Sequence, residues 1–96
     1  MEEVTRSVAE QIGRQIRRPR REQELSQETI AYRAEIHRTQ ISLIESGQRL
    51  PRIDTLIKIA GAIGVSPCAL LGGLVWEPGD RRPGRFVEPG RDPTHG

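Results

Sequence analysis

From Val4 to Leu71 the apolar residues recur at helical spacing, in runs separated by breaks too short for anything but tight turns. Val4, Val8, Ile12 and Ile16 fall every four residues, on one face of a first helix. Ser26 is a good N-cap for a second, SQETIAYR, with Glu28 near its positive end. A third runs through RTQISLIES and stops at Gly47. A fourth spans Ile53 to Ile63, with Leu56, Ile59, Ala60 and Ile63 on its inner stripe and Gly64 closing it. Ser66 followed by Pro67 opens a short fifth helix through Leu71. The links are about two to six residues long, so consecutive helices must fold back on one another. The expected fold class is therefore all-α, a compact five-helix domain over residues 1–71.

Composition changes after Leu71. Residues 72–96 hold six of the ten glycines and four of the seven prolines. This reads as a turn-rich C-terminal extension. LVWE (74–77) and RFVE (85–88) are short β-prone runs around a turn-rich stretch, and a hairpin over 74–88 is expected, with Trp76 and Phe86 packed on the helical body. The competing reading is a disordered tail, which is the expectation for the final GRDPTHG.

Several function classes are disfavoured. No apolar run approaches the roughly 20 residues of a membrane span, and the first residues lack a signal-peptide pattern. A cytoplasmic location without membrane attachment is expected, and the lone Cys68 fits a reducing compartment. Of the two histidines, His95 lies in the tail, and Cys68 reads as a near-core residue without an activating neighbour. No CxxC, HExxH or phosphate-binding glycine loop occurs, so neither catalysis, a cofactor nor a metal is expected. Fourteen of the fifteen basic residues are arginine. Arginine suits two-pronged contacts with phosphate and guanine, and it equally reflects a GC-rich genome, so composition permits nucleic-acid binding without establishing it.

The informative stretch runs from Gln27 to Glu45, two short helices joined by a tight turn. Ala31 is small where the helices must approach, Ile36 plugs the core from the turn, and Ile41 and Ile44 point inward. Helical geometry then leaves Arg38, Thr39, Ser42 and Leu43 on the opposite face. An arginine, two hydroxyls and a leucine suit the donors, acceptors and thymine methyls of a major groove.

The ordered set IGRQIR (12–17), LSQETIA (25–31), ISLIESGQRLP (41–51), DTLIKIAGAIGVSP (54–67) and LL (70–71) resembles the Cro and lambda-repressor-like helix-turn-helix family, also called the xenobiotic-response-element family. The resemblance covers about residues 8–71. It implies sequence-specific binding of double-stranded DNA and a role as a transcriptional regulator, usually a repressor, acting as a homodimer on a palindromic operator. By position it implies Arg38, Thr39, Ser42 and Leu43 as base-facing residues, and Gln27, His37, Arg49 and Arg52 as backbone contacts. It also implies an ion pair between Arg20 and Glu45 that ties helix 1 to helix 3. Helix 5 and the Trp76–Phe86 segment are the expected dimer contact. For each arginine the alternative is a solvated surface charge.

The chain departs from the family at four places. Glutamate stands at the turn positions 24 and 35, where the family has glycine, so a left-handed backbone is expected there at a cost of about 1 kcal/mol or more. Pro19 replaces a helix-interior leucine, and a kink or early end of helix 1 is expected. His37 replaces the usual Ser or Thr N-cap of the recognition helix. An alternative function is an antitoxin-type DNA-binding protein, whose extension would bind a toxin partner. A third is a protein-binding adaptor without an operator.

Overall fold

The computed structural model describes residues 2–87. Five helices, α1 (Glu3–Glu22), α2 (Gln27–Ala34), α3 (Arg38–Glu45), α4 (Ile53–Ile63) and α5 (Pro67–Leu71), precede a hairpin of β1 (Val75–Glu77) and β2 (Arg85–Val87). The apolar stripes converge on one core. Ile16, Ile30, Ile41, Ile44, Ile59 and Leu70 are fully buried, so every helix contributes at least one anchor. Each such side chain stabilises the fold by about 1.5–3 kcal/mol. Helix α2 lies between α3 and α4, α3 rests on α1 and α2, and α5 closes the base against α1 and α4.

Local chemistry sets the helix ends. The Ser26 Oγ accepts the Thr29 amide at 3.0 Å, and the Ser66 Oγ accepts the Cys68 amide at 3.2 Å. The first is a strong N-cap and the second a weaker one. Gly13 sits in the middle of α1, where helix propensity disfavours it. A Cβ at this position would come 2.5 Å from the Glu45 carbonyl oxygen and 2.7 Å from that of Ile44. Glycine therefore permits the close approach of α1 to the end of α3.

Of the kink or early end expected at Pro19, the early end does not occur: α1 continues to Glu22, and the Gln23 amide still donates to the Pro19 carbonyl at 3.2 Å. Tertiary contacts hold this last turn. Arg20 is fixed through its guanidinium to Glu45 and to the Leu25 carbonyl. Cys68 is exposed rather than near the core, because the five-residue α5 turns only Leu70 fully inward.

Glu24 and Glu35 adopt the left-handed backbone, with φ of 55° and 59°. Glu35 ends α2, its amide donating to the Ala31 and Tyr32 carbonyls. Glu35→Gly removes the Cβ strain but loosens the unfolded chain, so a net gain of about 1 kcal/mol is expected in urea unfolding. Glu35→Gln keeps the strain, and its melting temperature should match wild type. A fall in stability for Glu35→Gly would contradict this account of the turn.

The hairpin pairs Val75 with Val87, Trp76 with Phe86 and Glu77 with Arg85. Trp76 and Phe86 meet edge to face at 5.0 Å between ring centroids. They do not join the core: both stay roughly half exposed. Phe86 borders a shallow groove with Val4 and Ser7 of α1, whereas Trp76 lies over Gly84. As register partners the two rings share one face of the hairpin, where they pack against each other. Glu88 and the tail with His95 lie outside the described residues.

Glu77 accepts hydrogen bonds from Arg82 and Arg85, each at 2.9 Å. The Arg82 bond, then the Arg85 bond, holds its carboxyl below the usual glutamate range. A depressed folded-state pKa means that this contribution is present at neutral pH and is lost as pH falls through the depressed value. Fluorescence of Trp76, the sole tryptophan, should report loosening of the hairpin in acid, below the usual glutamate range, while helix signal persists. Glu77→Gln should abolish that acid step.

Candidate nucleic-acid interface

Helices α2 and α3 are joined by three residues, Glu35 to His37. Four inward side chains orient the pair: Ala31 on α2, half-buried Ile36 in the turn, and Ile41 and Ile44 on α3. Because α3 makes barely two turns, fixing Ile41, Ile44 and buried Glu45 inward fixes what faces out. Arg38, Thr39 and Ser42 are exposed there, and Leu43 is half-buried at the edge. They form a convex face of mixed donors, acceptors and apolar surface.

His37 is exposed, with extended backbone, and its side chain makes no cap hydrogen bond to α3. Its carbonyl accepts the Gln40 and Ile41 amides at 3.0 and 3.3 Å. The first amides of α3 are thus not covered by a side-chain cap, and the positive end of the helix faces outward.

A buried polar cluster sets the pose of α3. Arg20 Nε donates to Glu45 Oε2 at 2.6 Å, and its Nη2 donates to Oε1 at 2.9 Å. The third guanidinium nitrogen donates to the Leu25 carbonyl at 2.7 Å. Gln27 at the start of α2 adds its Nε2 to Glu45 Oε1 at 3.2 Å. The side chains of Arg20 and Glu45 retain 11% and 3% exposure, so this is an interior pair with its donors and acceptors satisfied. It clamps α1, α2 and α3 together at one point. Gln27 is thereby placed at the α3 clamp as well as at the first turn of α2.

The loop after Gly47 carries Arg49, exposed, and Arg52, which directly precedes α4. Arg52 lies 3.4 Å from Asp54, both in solvent, a pairing of little energetic weight. The structure thus gathers Arg20, Gln27 and Glu45 into one cluster and puts Arg38, Thr39, Ser42 and Leu43 on one helix face. Arg49 and Arg52 stand apart on the loop that follows.

Two residues of this surface escape a reading of the sequence. Glu28 Oε1 lies 3.7 Å from Arg38 Nε, across the turn, with both side chains exposed. They are ten positions apart in sequence, and only the folded turn brings them together. Gln40 flanks the exposed face and is half-buried. Its amide is of the type that pairs with adenine, but its sequence position between Thr39 and Ile41 puts it off the central stripe.

Two short helices joined by a tight turn and locked together by a shared core, the second with a polar outer face, define a helix-turn-helix. The helix-turn-helix family profile matches residues 14–70, and this chain belongs to that family of DNA-binding transcription regulators. It is 38% identical over 69 residues to control protein C.BamHI of Bacillus amyloliquefaciens, covering 71% of this chain and 85% of that protein. It is 33% identical over 61 residues to the immunity repressor protein of Bacillus phage phi105, covering 64% of this chain and 42% of the repressor. Among solved structures, the restriction-modification controller protein C.AhdI from Aeromonas hydrophila superposes with a TM-score of 0.65 at 30% identity, over 67% of this chain and 97% of that one. Among the described residues no helix is long and apolar enough to cross a membrane.

Proposed function

We propose that this protein acts as a transcriptional controller, repressing from a palindromic operator as a homodimer, and that it works in the cytoplasm by binding rather than by catalysis. Residues 1–71 form the DNA-binding unit and residues 72–96 an appended extension. Arg38, Thr39, Ser42 and Leu43 read base edges from the major groove. Gln27, His37, Arg49 and Arg52 hold the phosphate backbone. The observation that carries this reading is the outer face of α3, whose orientation is fixed by Ile41, Ile44 and the Arg20–Glu45 clamp. Similarity to restriction-modification controllers, one of them matched over nearly its full length, supports a controller role.

A homodimer follows from the arithmetic of specificity. One short helix contacts only a few base pairs, too few to select a site in a genome. Two copies on a two-fold site double that readout. Immunoprecipitation of DNA bound in the native host tests the proposal. A small set of discrete, palindromic sites within promoters is expected. Uniform coverage of the genome would overturn it.

A further inference from the structure

Helix α4 turns its inner stripe to the core, yet its outer stripe is also apolar. Ile53 and Ile57 are 71% and 52% exposed. Gly61 continues the same line, four residues further on, and a Cβ there would meet nothing within 4 Å. Glycine is the poorest helix former after proline, and among the described residues nothing packs against position 61 that would require it. Gly61 instead floors a groove of about 340 Å³, with Arg33 and Lys58 on its walls.

We infer that this outer face of α4 is where a second copy of the chain docks. The stripe is self-complementary. Two antiparallel α4 helices related by a two-fold axis beside Ile57 bring Ile57 against Ile57. Positions 53 and 61 are equally distant from 57, so Ile53 of each copy lies over Gly61 of the other and enters its groove. The i, i+4 ridges then interlock at the crossing angle common for such ridges, which confines contact to about two turns. Charge fits too: Asp54 of one copy approaches Lys58 of the other, both of them exposed in the single chain. Helix α3 packs chiefly on α1 and α2, so pairing through α4 leaves both recognition faces open.

This surface rests on the reading of the protein as a homodimer, and the test separates the two. Sedimentation velocity is run on the full chain as wild type, Ile57→Glu, Gly61→Ala and Trp76→Ala, with gel shifts on genomic operator DNA in parallel. Ile57→Glu should stay folded by circular dichroism and weaken dimerisation by at least about thirtyfold. Gly61→Ala is the sharper variant. Introduced into Ile57→Glu, it should raise the melting temperature of the monomer; introduced into wild type, it should weaken the dimer roughly tenfold. Trp76→Ala should leave the dimer intact. A dimer unchanged by Ile57→Glu and Gly61→Ala but broken by Trp76→Ala would overturn the α4 surface and leave the DNA-binding reading standing. A wild-type monomer at all concentrations, free and on DNA, would overturn both this surface and the homodimer. Failure of wild type to bind any operator would instead count against the regulatory function, whatever the assembly.

Discussion

Arg20→Ala is expected to destabilise the protein by about 3–5 kcal/mol, the range for breaking a buried ion pair on one side. The reason is asymmetric. Removing the guanidinium leaves the Glu45 carboxylate at 3% exposure with Gln27 as its remaining side-chain donor. It also strips the Leu25 carbonyl of its side-chain donor and frees the last turn of α1 beyond Pro19. Replacing both partners by apolar residues, Arg20→Met with Glu45→Leu, should cost far less, because no uncompensated charge remains. Urea unfolding of the single and double variants measures the difference. A loss below about 1 kcal/mol for Arg20→Ala would match an exposed pair and contradict the clamp. The consequence for function is separate: even at temperatures where the double variant is folded, its α3 lacks the polar tether that sets its angle. DNA affinity should therefore fall more than stability does.

The other large effect lies on the recognition face. Arg38→Ala should cost about 1–3 kcal/mol per half-site, concentrated at one base pair, because it removes the proposed bidentate contact with a base edge. Arg38 is 62% exposed, so the substitution leaves the fold intact. Arg49→Ala and Arg52→Ala should behave differently. Each removes a proposed phosphate contact, lowering affinity on all sequences and reducing the salt dependence by roughly one unit of slope. Fluorescence anisotropy on operator and random duplexes, across a salt series, distinguishes the two patterns. Equal losses on both duplexes for Arg38→Ala would exclude it from base readout.

Much of the fold was legible because one periodicity dominates the chain. Ile12, Ile16, Ile41, Ile44, Ile59 and Ile63 sit at helical spacing and are all buried. The left-handed turns at Glu24 and Glu35 were foreseeable from their places in the family pattern, since short links between packed helices demand a sharp reversal whatever the residue. The outer face of α3 was readable for the same reason: once Ile41 and Ile44 point inward, Arg38, Thr39 and Ser42 have nowhere else to go. Where local rules compete with tertiary contacts, sequence reading fails. Pro19 should break a helix by its own chemistry, but a guanidinium one residue later is anchored from outside that helix. Cys68 and Trp76 look like core residues by type, and their exposure depends on how a five-residue helix and three-residue strands are turned. The pairing of Glu28 with Arg38 needs the closed turn itself. The apolar outer stripe of α4 was in view as residue types, but its exposure becomes evident only when the inner stripe is seen to fill the core.

Selection of bound duplexes from a random DNA pool by the purified full-length protein tests the central claim most directly. The account predicts recovery of one symmetric motif, with half-sites about 10 base pairs apart centre to centre, and loss of preference at one position in each half-site when Arg38→Ala is used. Recovery of no motif, or of a motif that Arg38→Ala leaves unchanged, would contradict it.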